Sequence, residues 1–350
     1  MEGSRDIPDG VDGVVHCGPV TLAVSAATAA LRQRTQAVLE TFGARWNAPG
    51  PFIHVRLHGT TDAAVLGEGR YLRCANTMVD KTASGLIATC RSGAFAVYDA
   101  AHRAWDLHIR TLSSAASPGR LDTPAAAARP QPPVWTGDSV EDLLELVLTS
   151  GWREAGWIPL HAGAVLTARR CALLTAPAKG GKTTLTVALL HRGWRTLGDD
   201  KALITLRADG SPEVRGLTSR FNIAPRTGTW FPELGDLASR PPISPWSDKR
   251  RVCITDVWQN CFADTATPTH IVLIQRSEER RATRIEGLKT TDVLSALLRQ
   301  TVIPADAIAA RTILDVLART ARSLRGVRFE IGDDAYSHPE ALDALDERLE

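Results

Sequence analysis

The sequence predicts an α/β protein: a layered domain in the C-terminal part of the chain, preceded by a smaller α+β unit. Three observations predict it. Between Leu160 and Leu206, a short apolar run (Cys171 to Thr175) passes through a loop of small residues (Ala176 to Gly181) into an apolar-periodic helix opened by Lys182-Thr183-Thr184. Ahead of this stretch, one helical pattern and five short strand patterns, separated by Gly, Asn and Asp turn signals, form a unit of their own. Between the two, a segment rich in Pro, Ala and Ser holds too few large apolar residues to build a core.

Composition bounds the reading. The chain has 350 residues, enough for two modest domains, and 44% of them are hydrophobic. A net charge of +2 sets up no field that would draw nucleic acid or a membrane surface. Six cysteines (Cys17, Cys74, Cys90, Cys171, Cys253 and Cys261) have neither C-x-x-C nor zinc spacing, and read as the reduced thiols of a cytosolic protein. The opening MEGSRDIPDGVDG is polar and acidic, unlike a secretory signal or a transit peptide. No run approaches the roughly 18 apolar residues of a membrane span. A cytoplasmic location is expected.

In chain order, residues 1 to about 113 give the α+β unit. A helix is expected from Ala27 to Phe42, with Leu31, Val38, Leu39 and Phe42 on one face and Gly43 ending it. Strands are expected at Phe52 to Leu57, Tyr71 to Ala75, Gly85 to Thr89, Ala94 to Tyr98 and Trp105 to Ile109. His54 and His58 share a strand face, weak ground for a metal without a third ligand. The expected role of this unit is to hold a peptide or protein substrate, or to mediate assembly. Residues 114–136 read as a linker or long loop. The second domain, 137–350, opens with a helix capped by Asp138, with Glu141 three residues on and Val140, Leu143, Leu144 and Val147 on the buried face. It leads into a strand-like run, Ile158 to Leu166, that carries His161.

The loop that follows is where chemistry is expected. Backbone N–H groups at a helix N-terminus, with the positive end of the helix dipole, attract dense negative charge such as a triphosphate. Small residues let that backbone come close, a lysine reaches the β and γ phosphates, and an adjacent hydroxyl coordinates Mg²⁺. Against the pattern G-x-x-x-x-G-K-[ST], residues 176–183 lack only the first glycine, and Ala176 fills that place if its φ is negative. A glycine turn that holds no ligand is the plainer alternative. After the helix, Gly193 marks its end and a short strand, Trp194 to Leu197, delivers Asp199-Asp200. Two carboxylates beside phosphate need a cation or a proton, so one suits a metal and the other a proton-accepting role; an ordinary polar turn is the alternative.

The rest of the chain adds a turn at Asp209-Gly210-Ser211 and a Pro-rich stretch from Pro225 to Pro245, with Arg220 and Arg226 as arginines that face either phosphate or solvent. Ser247 to Arg251 is a basic cluster that reads first as a solvated charge run and second as a stabiliser of phosphoryl charge. Asp256, after a strand at Val252 to Ile254, rivals Asp200 as a metal partner. A strand at His270 to Ile274 and a charged turn at Arg276 to Arg281 come next. Helices at Thr291 to Gln300 and Ala305 to Leu324 follow, the second burying Ile308, Ile313, Leu314 and Leu317. A strand at Val327 to Ile331 and a helix at Pro339 to Leu349 close the domain.

The order Leu-His-Ala-Gly-Ala-Val, then a loop ending Gly-Lys-Thr-Thr, then Arg-Gly-Trp-Arg leading to Gly-Asp-Asp, resembles the catalytic core of the HPr kinase/phosphorylase family. More closely still, it is similar to the compact HPr-kinase-like proteins of peptide-modification clusters, including lasso-peptide precursor kinases. The likeness covers about residues 158–206, and the family's second, C-terminal signature is not found here. It implies a P-loop kinase core related to phosphoenolpyruvate carboxykinase, using ATP and Mg²⁺. Ala178, Lys179, Gly180, Gly181, Lys182, Thr183 and Thr184 would then hold the nucleotide, with Lys182 on the β and γ phosphates. Thr183 and Asp200 would bind the metal, Asp199 would be the general base, and His161 would sit beside Asp199 and tune it. The expected activity is transfer of the γ-phosphoryl group to a hydroxyl, a serine of a peptide or small protein. The competing expectation is a regulatory nucleotide-binding ATPase with no acceptor. Members of the family form assemblies, which leaves room for a homo-oligomer, although no helix here carries a heptad seam.

Overall fold

A computed structural model describes residues 11–46, 52–61, 64–65, 67–73, 76–110, 139–244, 247–276, 283–336 and 340–349. The expected linker at 114–136, the cap Asp138 and Cys74 lie outside them, as does most of the turn at 276–281. By its packing the chain divides into two compact units, one drawn from Met1–Glu40 and Ala44–Gly151, the other from Thr41–Gly43 and Trp152–Glu350.

The first unit is a nine-stranded sheet with the order β3-β1-β2-β4-β9-β8-β7-β6-β5. Its strands are β1 (Gly13–Cys17), β2 (Val20–Ala26), β3 (Arg45–Trp46), β4 (Phe52–Thr60), β5 (Leu72–Arg73), β6 (Thr77–Lys81), β7 (Gly85–Cys90), β8 (Phe95–Asp99) and β9 (Ala104–Arg110). The strands β1 and β2 escape the sequence reading because the β2 run Val20 to Val24 is buried throughout, so no polar alternation marks it. Helix α1 (Ala29–Thr41) buries Leu31, Val38 and Leu39 as expected. Helix α2 (Ser139–Glu154) starts where the sequence predicts, but Ser139 to Gly151 belong to this unit. Asn76 bonds Asp142, Ser139 bonds Ser92, and Gly151 packs so tightly on Ile53 that a Cβ would lie 2.7 Å from its methyl. His58 is held by Asp106 (3.1 Å) and stacks on His108, so its place is explained without a metal.

The second unit is built on a central six-stranded sheet with helices on both faces, accompanied by a four-stranded and a three-stranded sheet. Its strands are β10 (Ile158–Leu160), β11 (Gly163–Leu166), β12 (Cys171–Thr175), β13 (Arg195–Gly198), β14 (Ala202–Leu206), β15 (Pro212–Gly216), β16 (Arg220–Ile223), β17 (Pro242–Ser244), β18 (Ser247–Cys253), β19 (Thr265–Ala266), β20 (His270–Arg276), β21 (Arg284–Leu288) and β22 (Arg325–Ile331). The central sheet runs β13-β11-β12-β20-β22-β21, and β12, β20 and β22 are parallel neighbours. Helices α3 (Lys182–His191) and α6 (Glu340–Arg348) cover one face, while α4 (Thr290–Leu298) and α5 (Ala307–Ser323) cover the other. Strand β12 shows the layering: Ala172 and Leu174 pack with Leu185 and Leu189 of α3, Cys171 and Leu173 with Leu297 and Leu317. Burying a leucine on either face stabilises the fold by about 1.5–3 kcal/mol.

Two expectations are corrected here. Helix α5 buries Ile313 and Leu317, but Ile308 is 81% exposed and Leu314 is 42% exposed. A single apolar stripe, not every apolar side chain of the helix, reaches the sheet. The run Ile158 to Leu166 is not one strand. It breaks at His161-Ala162, where the chain leaves the sheet β10-β14-β15-β19 and enters the central one. At that break the His161 N–H bonds Gln300 O (2.7 Å).

Candidate functional site

The site grows out of the carboxyl ends of the parallel strands, where open α/β sheets commonly receive ligands. Strand β12 ends at Thr175, buried, and the chain turns through residues 176–181 into α3. Ala176 is buried and keeps out of the left-handed region; the positive φ values fall instead on Lys179 (62°) and Gly181 (92°). The turn closes with Gly180 N–H donating to Pro177 O (2.9 Å), so that amide is spent within the loop. Gly180 sits so tightly that a Cβ would lie 2.9 Å from Pro177 O. Gly181 caps α3 with no side-chain hydrogen bond, which leaves the first-turn amides without a capping oxygen at the positive end of the helix.

Five residues named from the sequence converge at this helix start. Lys182 is 7% exposed, and its ammonium donates to Asp200 Oδ1 (2.8 Å) and to His161 O (3.3 Å). The break in the strand run at His161 is what turns that carbonyl toward the lysine. Thr183 Oγ1 donates to Asp199 Oδ2 at 2.8 Å. His161 Nδ1 lies 3.5 Å from Asp200 Oδ1. The sequence reading set His161 beside Asp199; its ion-pair contact is with Asp200. Strand β13 brings the two aspartates here because Gly198 pairs with Ala164 on β11, directly beside β12.

The two carboxylates differ sharply. Asp199 is 6% exposed, and burial, reinforced by the charge of Asp200, pushes its pKa up to about 7 despite the Thr183 hydroxyl and the lysines. Asp200 keeps 45% of its side chain exposed. Burial pushes it up too, but Lys182 and His161 outweigh that and hold it below the usual carboxylate value. Lys249, from the basic cluster on β18, pulls both carboxylates down, so one member of that run acts on the site while Arg251 is simply exposed. Asp256 is exposed on a short 3₁₀ turn at Ile254–Asp256.

A cleft of about 640 Å³, counting its open mouth, flanks the loop on another side. It touches Lys179, Gly180, Gly181 and Thr184, and its wall includes Trp230 and Tyr336, together with Arg226. Arg276 ends β20, Ile331 ends β22 and Gly332 follows it, so the ends of the three parallel strands all contribute. Sequence reading named Arg226 but passed over Trp230, Tyr336 and Arg276. The available signal was an aromatic pair, Trp230-Phe231, in an otherwise Pro-rich and irregular stretch.

The fold and site together define a layered α/β domain with a basic strand–loop–helix corner and a paired-carboxylate centre. No family model matches the chain, and no curated protein sequence matches it. Among solved structures it is similar to the Hpr(Ser) kinase/phosphatase from Coxiella burnetii, with 11% identity and a TM-score of 0.30, over 55% of this chain and 96% of that one. At that overlap the likeness carries no functional inference. No helix among the described residues is long and apolar enough to cross a membrane.

Proposed function

We propose that the chain is an ATP-dependent kinase that transfers the γ-phosphoryl group to a hydroxyl, a serine of a peptide or small protein. The observation that carries this reading is the meeting of Lys182, Thr183, Asp199 and Asp200 at one uncapped helix start. The serine comes from the sequence resemblance. Loop backbone from Ala178 to Thr184, apart from the Gly180 amide bonded to Pro177 O, would cradle phosphate, with the Lys182 ammonium offsetting its charge.

A buried carboxylate whose charge its burial disfavours fits a cation, and Asp199 is one, bonded to a hydroxyl of the type that ligates Mg²⁺. Thr183 and Asp199 would therefore hold Mg²⁺, which supplies neutralisation of phosphate charge. Among the described residues no three His, Cys, Asp or Glu side chains gather into a cage. Mg²⁺ commonly takes one or two protein oxygens alongside substrate phosphates. Asp200 is more open to solvent and bonded to the lysine that faces the γ-phosphate, so it is the one an incoming hydroxyl can reach. In this assignment the roles expected from the sequence are exchanged. The acceptor oxygen bonds the γ-phosphorus as the bond to the β–γ bridging oxygen breaks. The hydroxyl proton passes to Asp200, and ADP leaves. His161 positions Asp200.

Mass spectrometry of candidate peptides incubated with the protein and Mg-ATP tests the activity. Phosphopeptide supports it, ADP alone would instead mark a regulatory ATPase, and neither product overturns both. Asp199→Asn and Asp200→Asn test the division of labour. Both should lose transfer, and only Asp199→Asn should raise the Mg²⁺ concentration needed for nucleotide binding. The reverse pattern restores Asp199 as the base.

A further inference from the structure

The loop has two sides, and the chemistry proposed above uses one. None of His161, Lys182, Asp199 and Asp200 lines the cleft that flanks Lys179 to Gly181 and Thr184. That cleft has a wall unlike a phosphate cradle. The rings of Trp230 and Tyr336 lie 5.1 Å apart, and the Arg226 guanidinium sits 5.1 Å over the Trp230 ring. Ile331 adds apolar surface. The Tyr336 hydroxyl is buried without a hydrogen-bond partner among the described residues, and burial pushes its pKa up. It faces the loop, 3.5 Å from where a Cβ on Gly181 would stand. A buried hydroxyl left without a partner is costly, and one aimed into a cleft suits a polar ligand atom.

We infer that this cleft is the nucleoside subsite of the phosphate loop, taking the base against Trp230 and Tyr336 and the ribose beside the Tyr336 hydroxyl. An inorganic polyphosphate needs no aromatic wall. A flat π-system with polar edges does, and stacking accepts any base because each presents a π-face. Phosphates laid over Gly181 and Thr184 from this side reach Lys182 and the aspartates with their terminal group, which orders the nucleotide along the loop. This inference rests on the phosphate-loop reading.

Calorimetric titration of the full chain with Mg-ATP and with Mg-tripolyphosphate separates the two. The parent is expected to bind ATP more tightly than tripolyphosphate by roughly 10-fold or more. Trp230→Ala should lose about 10- to 100-fold in ATP affinity, leaving tripolyphosphate affinity unchanged, and Trp230→Phe should recover most of the loss. Tyr336→Phe removes only the unpartnered hydroxyl, so it should weaken ATP several-fold while the melting temperature of the ligand-free protein stays level or rises. It decides the matter even if Trp230→Ala fails to fold. Parent affinity for ATP in both Trp230→Ala and Tyr336→Phe overturns the subsite. So does equal affinity of the parent for ATP and tripolyphosphate, with the phosphate loop standing. Binding of neither compound overturns the loop itself, and the subsite with it.

Discussion

Asp199 makes a prediction that needs no substrate. Its carboxylate is raised from 3.8 to about 7, chiefly by burial and then by the neighbouring Asp200. Between those values the folded chain holds a proton that the unfolded chain releases, so stability falls as pH rises through the window and the penalty is complete above it. By linkage the buried charge costs the fold about 4 kcal/mol at pH 8 and about 2 kcal/mol at pH 5. Asparagine has nearly the same shape, cannot ionise, and its amide oxygen still accepts from the Thr183 hydroxyl. Asp199→Asn should therefore stabilise the nucleotide-free protein, by up to those amounts, with the larger gain at the higher pH. Urea unfolding of parent and variant in EDTA, at pH 5 and pH 8, reads the difference directly. A variant less stable than the parent at pH 8, or one whose gain is the same at both pH values, refutes the buried-anion account. The gain is the mark of a functional carboxylate held at the expense of stability.

Lys182→Ala removes the cation that bonds Asp200 and the His161 carbonyl, and ADP release should fall by roughly 100-fold or more. Gly181→Ala puts a side chain at φ 92°, with its Cβ in ordinary contact with the Tyr336 hydroxyl, so the backbone strain should lower the unfolding free energy by about 1–2 kcal/mol, together with nucleotide affinity. On α5, Leu317→Ala should cost about 2–5 kcal/mol, whereas Ile308→Gln should stay within about 0.5 kcal/mol of the parent in the same urea experiment.

What the sequence could disclose was set by distance along the chain. Loop, lysine, threonine and aspartate pair lie within 25 positions of one another, and a single strand–helix–strand unit fixes their meeting. Residue type and spacing alone therefore predict that they converge. The partners within that group depended on something else. Which carboxylate takes the threonine and which the lysine follows from the bulged pairing of β13 on β11, where Gly198 meets Ala164, and no spacing rule encodes it. Likewise, His161 looked like a strand residue because its neighbours are apolar on both sides. Only the switch between two sheets, pinned by Gln300 from a distant turn, exposes its carbonyl to Lys182.

The aromatic wall was invisible for the same reason carried further. Arg276 and Tyr336 approach the loop because β20 and β22 lie parallel to β12, and each connection between them spans tens of residues. A parallel sheet gathers the ends of strands remote in sequence at one edge, so the residues there share no local pattern, only a common position just past a strand. Arg276 closes β20, while Gly332 and Tyr336 follow β22. Had the strand order been recognised from the apolar runs at Cys171, His270 and Val327, the residues just beyond each run were the ones to inspect. The phosphate end of such a site is written locally, in glycines and a helix start. The end that selects the ligand is written in topology.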